Sequence, residues 1–245
     1  MSVLSPSSRA RVRSSIETPV ANVFGRLGLT PNALTLIGFG IALVGAWLAS
    51  RNDWITASLV VAFGAIFDLF DGALARATNK VSKFGAFMDS TFDRAGEAVV
   101  YVGIAIGLLT HIDAQGQFRL FGLTFDGIVG PVLAMIAMAA AFMVSYTRAK
   151  SESLGFSSGT GMANIGFAPR EVRTVILTLG LFVAGIFEVS QIADFPAGVI
   201  PAPQMWWIVL VGALGLIAVL ATVTTIQRIF FVYRQSKSTN QEVTK

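Results

Sequence analysis

Asp68-Leu69-Phe70-Asp71-Gly72-Ala73-Leu74-Ala75-Arg76, followed after eight residues by Gly85-Ala86-Phe87-Met88-Asp89-Ser90-Thr91-Phe92-Asp93, is the stretch on which the reading of this chain turns. Asp68 and Asp71 stand three apart, and Asp89 and Asp93 four apart, so each pair lies along one helical face. An uncharged apolar run from Trp54 leads into Asp68, and another from Ala98 to Thr110 lies beyond Asp93. The linker, roughly Thr78 to Phe84, is short enough to make the two helices antiparallel neighbours. Four carboxylates then meet at one end of an apolar hairpin.

The rest of the chain is apolar too. Of 245 residues, 54% are hydrophobic and 13% charged, with a mean hydropathy of +0.69. Soluble domains carry about 25% charged residues, so the composition is that of a membrane protein. Runs of the roughly 20 residues needed to cross a bilayer fall near 33–50, 54–75, 89–110, 127–149, 171–193 and 205–232. The expectation is an all-α integral membrane protein with six transmembrane helices, forming a single membrane domain over 1–245. Residues 9–27 set Val12, Ile16, Val20, Val23, Phe24 and Leu27 against Arg9, Arg13 and Glu17. That is the spacing of an amphipathic juxtamembrane helix lying in the interface, or packed on the protein's own cytoplasmic face. Met1 to Ser8 lacks the pattern of a cleaved signal and reads as mature sequence.

Sixteen of the 18 Lys and Arg residues fall on the side of the N-terminus, leaving Arg51 and Arg119 opposite. The positive-inside rule then puts both termini and the acidic cluster in the cytoplasm of a multi-pass protein of the cell (plasma) membrane. The net charge of +4 describes this basic rim; without a recognition motif, nucleic acid is not an expected partner. Cys is absent and His occurs once, as His111, which removes thiolate catalysis and histidine-based metal sites. Chemistry falls to carboxylates, hydroxyls and cations.

A carboxylate near the centre of a membrane helix costs about 2.5–3.5 kcal/mol, and two of them about 5 Å apart repel by roughly 3 kcal/mol at an effective dielectric near 20. Arg76 alone does not offset four. Hard divalent cations such as Mg²⁺ or Mn²⁺ take oxygen ligands and complete their shells with water and phosphate, so they suit this set better than zinc. A solvated acidic helix end, or a proton or cation pathway, is the competing reading. It accounts for neither Gly72 and Gly85 nor the basic groups nearby.

Asp68-x-x-Asp71-Gly72-x-x-Ala75-Arg76, eight residues, then Gly85-x-x-x-Asp89-x-x-x-Asp93 resembles the signature of the CDP-alcohol phosphotransferases at every fixed position and gap. The resemblance implies a dimeric transferase that moves a substituted phosphoryl group from a CDP-linked lipid such as CDP-diacylglycerol to a hydroxyl, releasing CMP. It implies that Asp68, Asp71, Asp89 and Asp93 hold the metal and that Asp93 is the general base. Donor contacts carried over by the same match are Pro31, Asn32, Ala33, Leu34, Thr35, Gly72, Arg76, Ser82 and Gly85. Small glycines let a nucleotide approach the backbone, and the planar fork of Arg76 suits phosphate oxygens. Thr30-Pro31-Asn32 reads equally well as an ordinary helix start. A carboxylate is a weak base for an alcohol, so positioning must carry much of the rate, and direct displacement is preferred to a covalent enzyme intermediate.

The acceptor is read from later segments. Ser145-Tyr146-Thr147-Arg148-Ala149-Lys150 closes the fourth span, Arg170-Glu171-Val172-Arg173 opens the fifth and Gln227-Arg228 lies in the cytoplasmic half of the sixth. Cations aimed from three helices fit a phosphorylated polyol better than a neutral alcohol; snorkelling at headgroups accounts for Arg234 and Lys237 but poorly for Arg228. These segments resemble those of the phosphatidylinositol-phosphate synthases, although Arg and Lys exchange places at 148 and 150 and Val172 interrupts the pattern. The resemblance implies inositol phosphate as acceptor, with Arg148, Arg170 and Arg228 on its phosphate and Lys150 and Arg173 in support. Glycerol 3-phosphate, as in a phosphatidylglycerophosphate synthase, is the alternative acceptor, and a cation or proton transporter the alternative class.

Overall fold

The computed structural model describes residues 24–110, 117–120, 123–156, 165–190 and 205–243. Six long helices carry these residues: α1 (Pro31–Ser50), α2 (Trp54–Ala77), α3 (Lys83–Thr110), α4 (Val129–Ser153), α5 (Arg170–Ser190) and α6 (Met205–Val243). By principal contacts they close a ring in the order α1, α2, α5, α6, α4, α3. The fold is helical, with five of the six helices long and apolar enough to cross a membrane; α3 falls outside that set on composition. Asp89, Asp93, Arg94 and Glu97 lie within its first fifteen residues.

Local signals account for the helix ends. Thr30 caps α1, its Oγ1 accepting from the Ala33 N–H at 3.2 Å with Pro31 in the first turn. Asp53 caps α2 through the Thr56 N–H at 3.3 Å. The α1–α2 turn is short, and Asn52 adopts φ +65° there while its Nδ2 donates to Thr110 Oγ1 at 2.9 Å, tying the turn to the end of α3. At the other end Ser82 Oγ accepts from the Gly85 N–H at 3.0 Å and caps α3.

That cap corrects the expected boundaries. The apolar span was expected from 89 and the linker to end at Phe84, but the helix begins at Lys83 and the linker shortens to five residues, 78–82. Helix α4 likewise runs on to Ser153 and α6 to Val243, because no Gly or Pro interrupts their polar ends. At 39 residues α6 is about 58 Å long against a hydrocarbon core of about 30 Å, so it projects well beyond the apolar layer. The chain is also not purely α: Gln117–Leu120 pairs antiparallel with Leu123–Asp126 between α3 and α4, a two-stranded hairpin the periodicity did not reveal. Of the expected interfacial helix 9–27, residues 9–23 lie outside the described residues, as does His111.

The interior is built from small residues with a few large ones between them. Ala49, Ala57, Ala134, Ala137, Ala184 and Ala221 are fully buried, which lets backbones approach closely where apolar lipid supplies no hydrophobic drive between helices. Helices α1 and α3 cross closely: a Cβ added to Gly103 would strike the Ala46 backbone. Trp54 stacks on Trp206 at 6.0 Å and packs with Tyr101, Ile104, Leu181 and Leu210. Large apolar side chains such as Trp47, Leu59, Val102, Ile136, Leu179 and Val219 face outward instead, as lipid contact requires. A second cluster, Leu34, Phe67 and Leu74 with Phe24 and Phe70, packs α1 on α2 beside the acidic residues.

Candidate active site

The four aspartates come from α2 and α3, and the tight turn after Ala77 sets them side by side. Asn79 at φ +52° and the Lys80 N–H donating to the Ala75 carbonyl at 2.9 Å make that turn. Asp71 is 6% exposed; its Oδ2 accepts from Thr35 Oγ1 at 2.8 Å, and its Oδ1 accepts from the Gly72 N–H. Asp68 and Asp93 share one guanidinium: Arg170 Nη2 lies 2.7 Å from Asp68 Oδ2 and Nη1 2.7 Å from Asp93 Oδ1. Arg170, the first residue of α5, reaches them because α5 packs against α2.

From Asp93 the charges continue in alternation. Arg94 lies 3.9 Å from Asp93 and 3.2 Å from Glu97, and Glu97 takes Arg173 at 2.8 Å. Arg173 is 1% exposed, with Nη1 donating to the Ala168 carbonyl at 2.9 Å. Alternation offsets the cost of burying each charge, and removing one member leaves its neighbours uncompensated. This corrects the view that Arg76 alone stands against the acids, since Arg94, Arg170 and Arg173 supply counter-charge from α3 and α5. Five carboxylates, Glu97 included, still outnumber these three guanidinium groups.

Two large cavities flank the cluster, and a small one of about 60 Å³ borders Asp68, Asp93 and Arg170. One of about 270 Å³ is lined by Pro31, Asn32, Thr35, Asp71, Gly72, Arg76, Ser82, Gly85 and Asp89, with Lys80 and Val81 at its rim. The second, about 1070 Å³, is lined by Asp89, Asp93, Arg94, Ser145, Tyr146, Arg148, Arg170, Arg173 and Arg228 among others. Asp89 belongs to both, with Asp71 on the side of the glycine-floored cavity and Asp93 on the side of the arginine-walled one. Most expected donor residues thus share the first cavity and most expected acceptor residues the second.

Not every expected residue lines them. Leu34 is 1% exposed and packs on Phe67 and Leu74, the Ala33 N–H is taken by Thr30, and Lys150 is exposed outside the lining of the larger cavity. The Pro31 turn is therefore a helix start whose Pro31, Asn32 and Thr35 also line the cavity. Arg148 pairs with Glu152 at 2.9 Å on the surface, and Arg228, 4% exposed, donates from Nε to the Ile165 carbonyl at 3.1 Å and from Nη1 to the Val144 carbonyl. Glu97 and Arg94 were not anticipated, although Glu97 follows Asp89 and Asp93 at the same four-residue step.

The donor set fits a hard divalent cation in chemistry: oxygens only, an excess of negative charge, and a position beside two cavities that admit charged side chains. Among the described residues no three acidic side chains gather round one point, because Asp68 and Asp93 turn toward Arg170.

Comparison with known proteins shows the family. Residues 28–193 match the family model described as CDP-alcohol phosphatidyltransferase. The chain belongs to that family. Among relatives, it is 34% identical over 224 residues to the archaetidylinositol phosphate synthase of Pyrococcus horikoshii, covering 90% of this chain and 94% of that one. It is 30% identical over 234 residues to the phosphatidylinositol phosphate synthase of Mycobacterium tuberculosis, covering 95% and 92%. The crystal structure of the Mycobacterium tuberculosis protein with CDP-DAG bound superposes with a TM-score of 0.67 at 27% identity, covering 89% of this chain and 94% of that one. Its complex with manganese and citrate gives the same TM-score. The protein is accordingly a multi-pass membrane enzyme of the phosphatidyltransferase class.

Proposed function

We propose that the protein transfers the phosphatidyl group of CDP-diacylglycerol to a hydroxyl of inositol phosphate, releasing CMP and forming phosphatidylinositol phosphate. The observation that carries this is one of placement: a glycine-floored cavity and an arginine-walled cavity meet at Asp89, with Asp93 on the arginine side. A phosphorylated polyol suits the arginine wall. The named activities of the relatives support the same acceptor class.

The CDP moiety lies in the smaller cavity, where Gly72 and Gly85 admit it close to the backbone and Arg76 meets its phosphates. Asp68, Asp71, Asp89 and Asp93 hold Mg²⁺ or Mn²⁺, which when bound neutralises charge on the pyrophosphate and on the departing CMP. Arg148, Arg170 and Arg228 orient the acceptor by its phosphate, with Arg173 and Lys150 adding positive charge nearby. Asp93 takes the proton of the acceptor hydroxyl as its oxygen bonds to the β-phosphorus and the bond to CMP breaks. The hydroxyl is delivered by positioning, since a carboxylate is a weak base for it.

In this reading all six helices span the plasma membrane, residues 9–27 lie along its cytoplasmic face, 1–245 form one domain, and the protein works as a homodimer. The inward bias of Lys and Arg supports a cytoplasmic site. Analysis of the lipid product tests the reaction: purified protein with CDP-diacylglycerol and inositol phosphate should yield phosphatidylinositol phosphate only with Mg²⁺ or Mn²⁺, and none after chelation. A lipid product lacking the acceptor phosphate would overturn the proposal.

A further inference from the structure

Ile165 to Pro169 lead into α5 and are held by two side chains of α6. Thr224 of α6 is fully buried, and its Oγ1 accepts from the Ala168 N–H at 3.0 Å. One turn on, along the same face of α6, Arg228 takes the Ile165 carbonyl at 3.1 Å and the Val144 carbonyl of α4. Between these anchors Gly166 adopts φ +113°, a conformation that favours glycine, and a Cβ there would run into the Thr224 side chain. The Ala168 carbonyl accepts from Arg173 Nη1 at 2.9 Å, and the Pro169 carbonyl from the Arg173 N–H at 3.2 Å, which begins α5. The next residue after this clamped stretch is Arg170.

The Thr224 hydroxyl is used differently from other threonines of these helices. Thr147, Thr178 and Thr222 return their hydroxyls to carbonyls of their own helix, as threonine in apolar helices does. Thr224 instead accepts from a backbone N–H 56 residues away in a fully buried place. It does not line the arginine-walled cavity, whereas Pro169, Arg170 and Arg228 do. A hydroxyl outside the cavity therefore fixes the backbone from which the cavity's cation projects.

We infer that Thr224 is a positioning residue for acceptor binding: by holding the Ala168 N–H it sets the start of α5 and so the aim of Arg170. The inference rests on the acceptor reading of the arginine cavity. It differs from a role in general stability because the donor cavity is built from α1, α2 and α3 and includes neither Thr224 nor residues 165–169.

The test measures KM for inositol phosphate and for CDP-diacylglycerol, kcat, and Mn²⁺ affinity by calorimetry, on the full-length protein in detergent. Thr224→Val keeps shape and loses the hydroxyl, leaving a buried N–H unpaired; acceptor KM should rise about tenfold while donor KM stays at the wild-type value, and any change in kcat or Mn²⁺ affinity should follow that of Arg170→Ala, since Arg170 also touches Asp68 and Asp93. Thr224→Ser keeps the oxygen and should restore acceptor KM. Unchanged acceptor KM in Thr224→Val, an equal rise for both substrates, or a Thr224→Ser as impaired as Thr224→Val would overturn the inference. If Thr224→Val does not fold, Thr224→Ala takes its place, and failure of both with a folded Thr224→Ser makes the residue a fold determinant and overturns it too. Arg170→Ala is run in parallel. An acceptor KM unchanged there contradicts the acceptor reading and this inference together, whereas a raised KM in Arg170→Ala beside a normal Thr224→Val contradicts this inference alone.

Discussion

Arg170 Nη1 lies 2.7 Å from Asp93 Oδ1, joining the first residue of α5 to the carboxylate expected to act as base. The same guanidinium reaches Asp68 at 2.7 Å, so one arginine stands at the boundary between the acidic cluster and the basic cavity. Arg170 and Arg228, both assigned to the acceptor phosphate, therefore differ in what else they hold.

Arg170→Ala and Arg228→Ala should each raise the acceptor KM by about tenfold or more, the effect of losing hydrogen bonds to a charged group. Arg170→Ala should also change kcat, because Asp93 and Asp68 lose their shared cation. Arg228→Ala should lower thermal stability, because the Ile165 and Val144 carbonyls lose their donor. Steady-state kinetics with each substrate varied, beside thermal unfolding in detergent, separates the two patterns. A weakened donor in Arg228→Ala would instead place that residue with the CDP-lipid.

Asp68→Asn, Asp71→Asn and Asp89→Asn should each lower turnover by about 100-fold or more, since direct ligands should matter at least as much as their supporting partners. Calorimetric Mn²⁺ affinity should fall alongside. Asp93→Asn should lose turnover while keeping more of the metal and donor binding. Full activity in any of the first three would count against the metal site.

Glu97 carries the fully buried Arg173, and Glu97→Ala leaves that cation without its carboxylate. Breaking such a pair costs on the order of 3–5 kcal/mol, so Glu97→Ala should unfold at a distinctly lower temperature in detergent. Glu97→Gln keeps a hydrogen-bond acceptor and should lose less. Equal stability of wild type and Glu97→Ala would mean that Arg173 is paired elsewhere.

Much of this was legible in the sequence because it is local. The aspartate pairs are set by three- and four-residue steps, and their convergence by a short linker. The cap at Ser82 and the start at Lys83 were equally local, yet were obscured by the charged first turns of α3, which do not read as a span. The contacts of Arg170 are another matter: Asp68 lies 102 residues away in the chain, and only the packing of α5 on α2 brings them together. Glu97 was hidden because the expected motif stops at Asp93 although the helical step does not. The hairpin at Gln117–Leu120 and Leu123–Asp126 is too short for alternation to register.

Topology can be checked without removing any native thiol, since the chain has no Cys. Single substitutions Ser153→Cys and Ser236→Cys should react with an impermeant maleimide only from the cytoplasmic side, and Arg51→Cys only from outside. Ser153 and Arg51 are exposed, at opposite ends of the helices. The reverse pattern would separate the acidic cluster from cytoplasmic CDP-lipid.

The acceptor is expected to carry its own phosphate into the arginine-walled cavity. CMP release by the purified protein with CDP-diacylglycerol and Mg²⁺, compared across inositol phosphate, glycerol 3-phosphate and free inositol at equal concentration, measures this directly. Inositol phosphate should support release, with glycerol 3-phosphate well behind and free inositol at background. Release with free inositol equal to that with inositol phosphate would contradict the account.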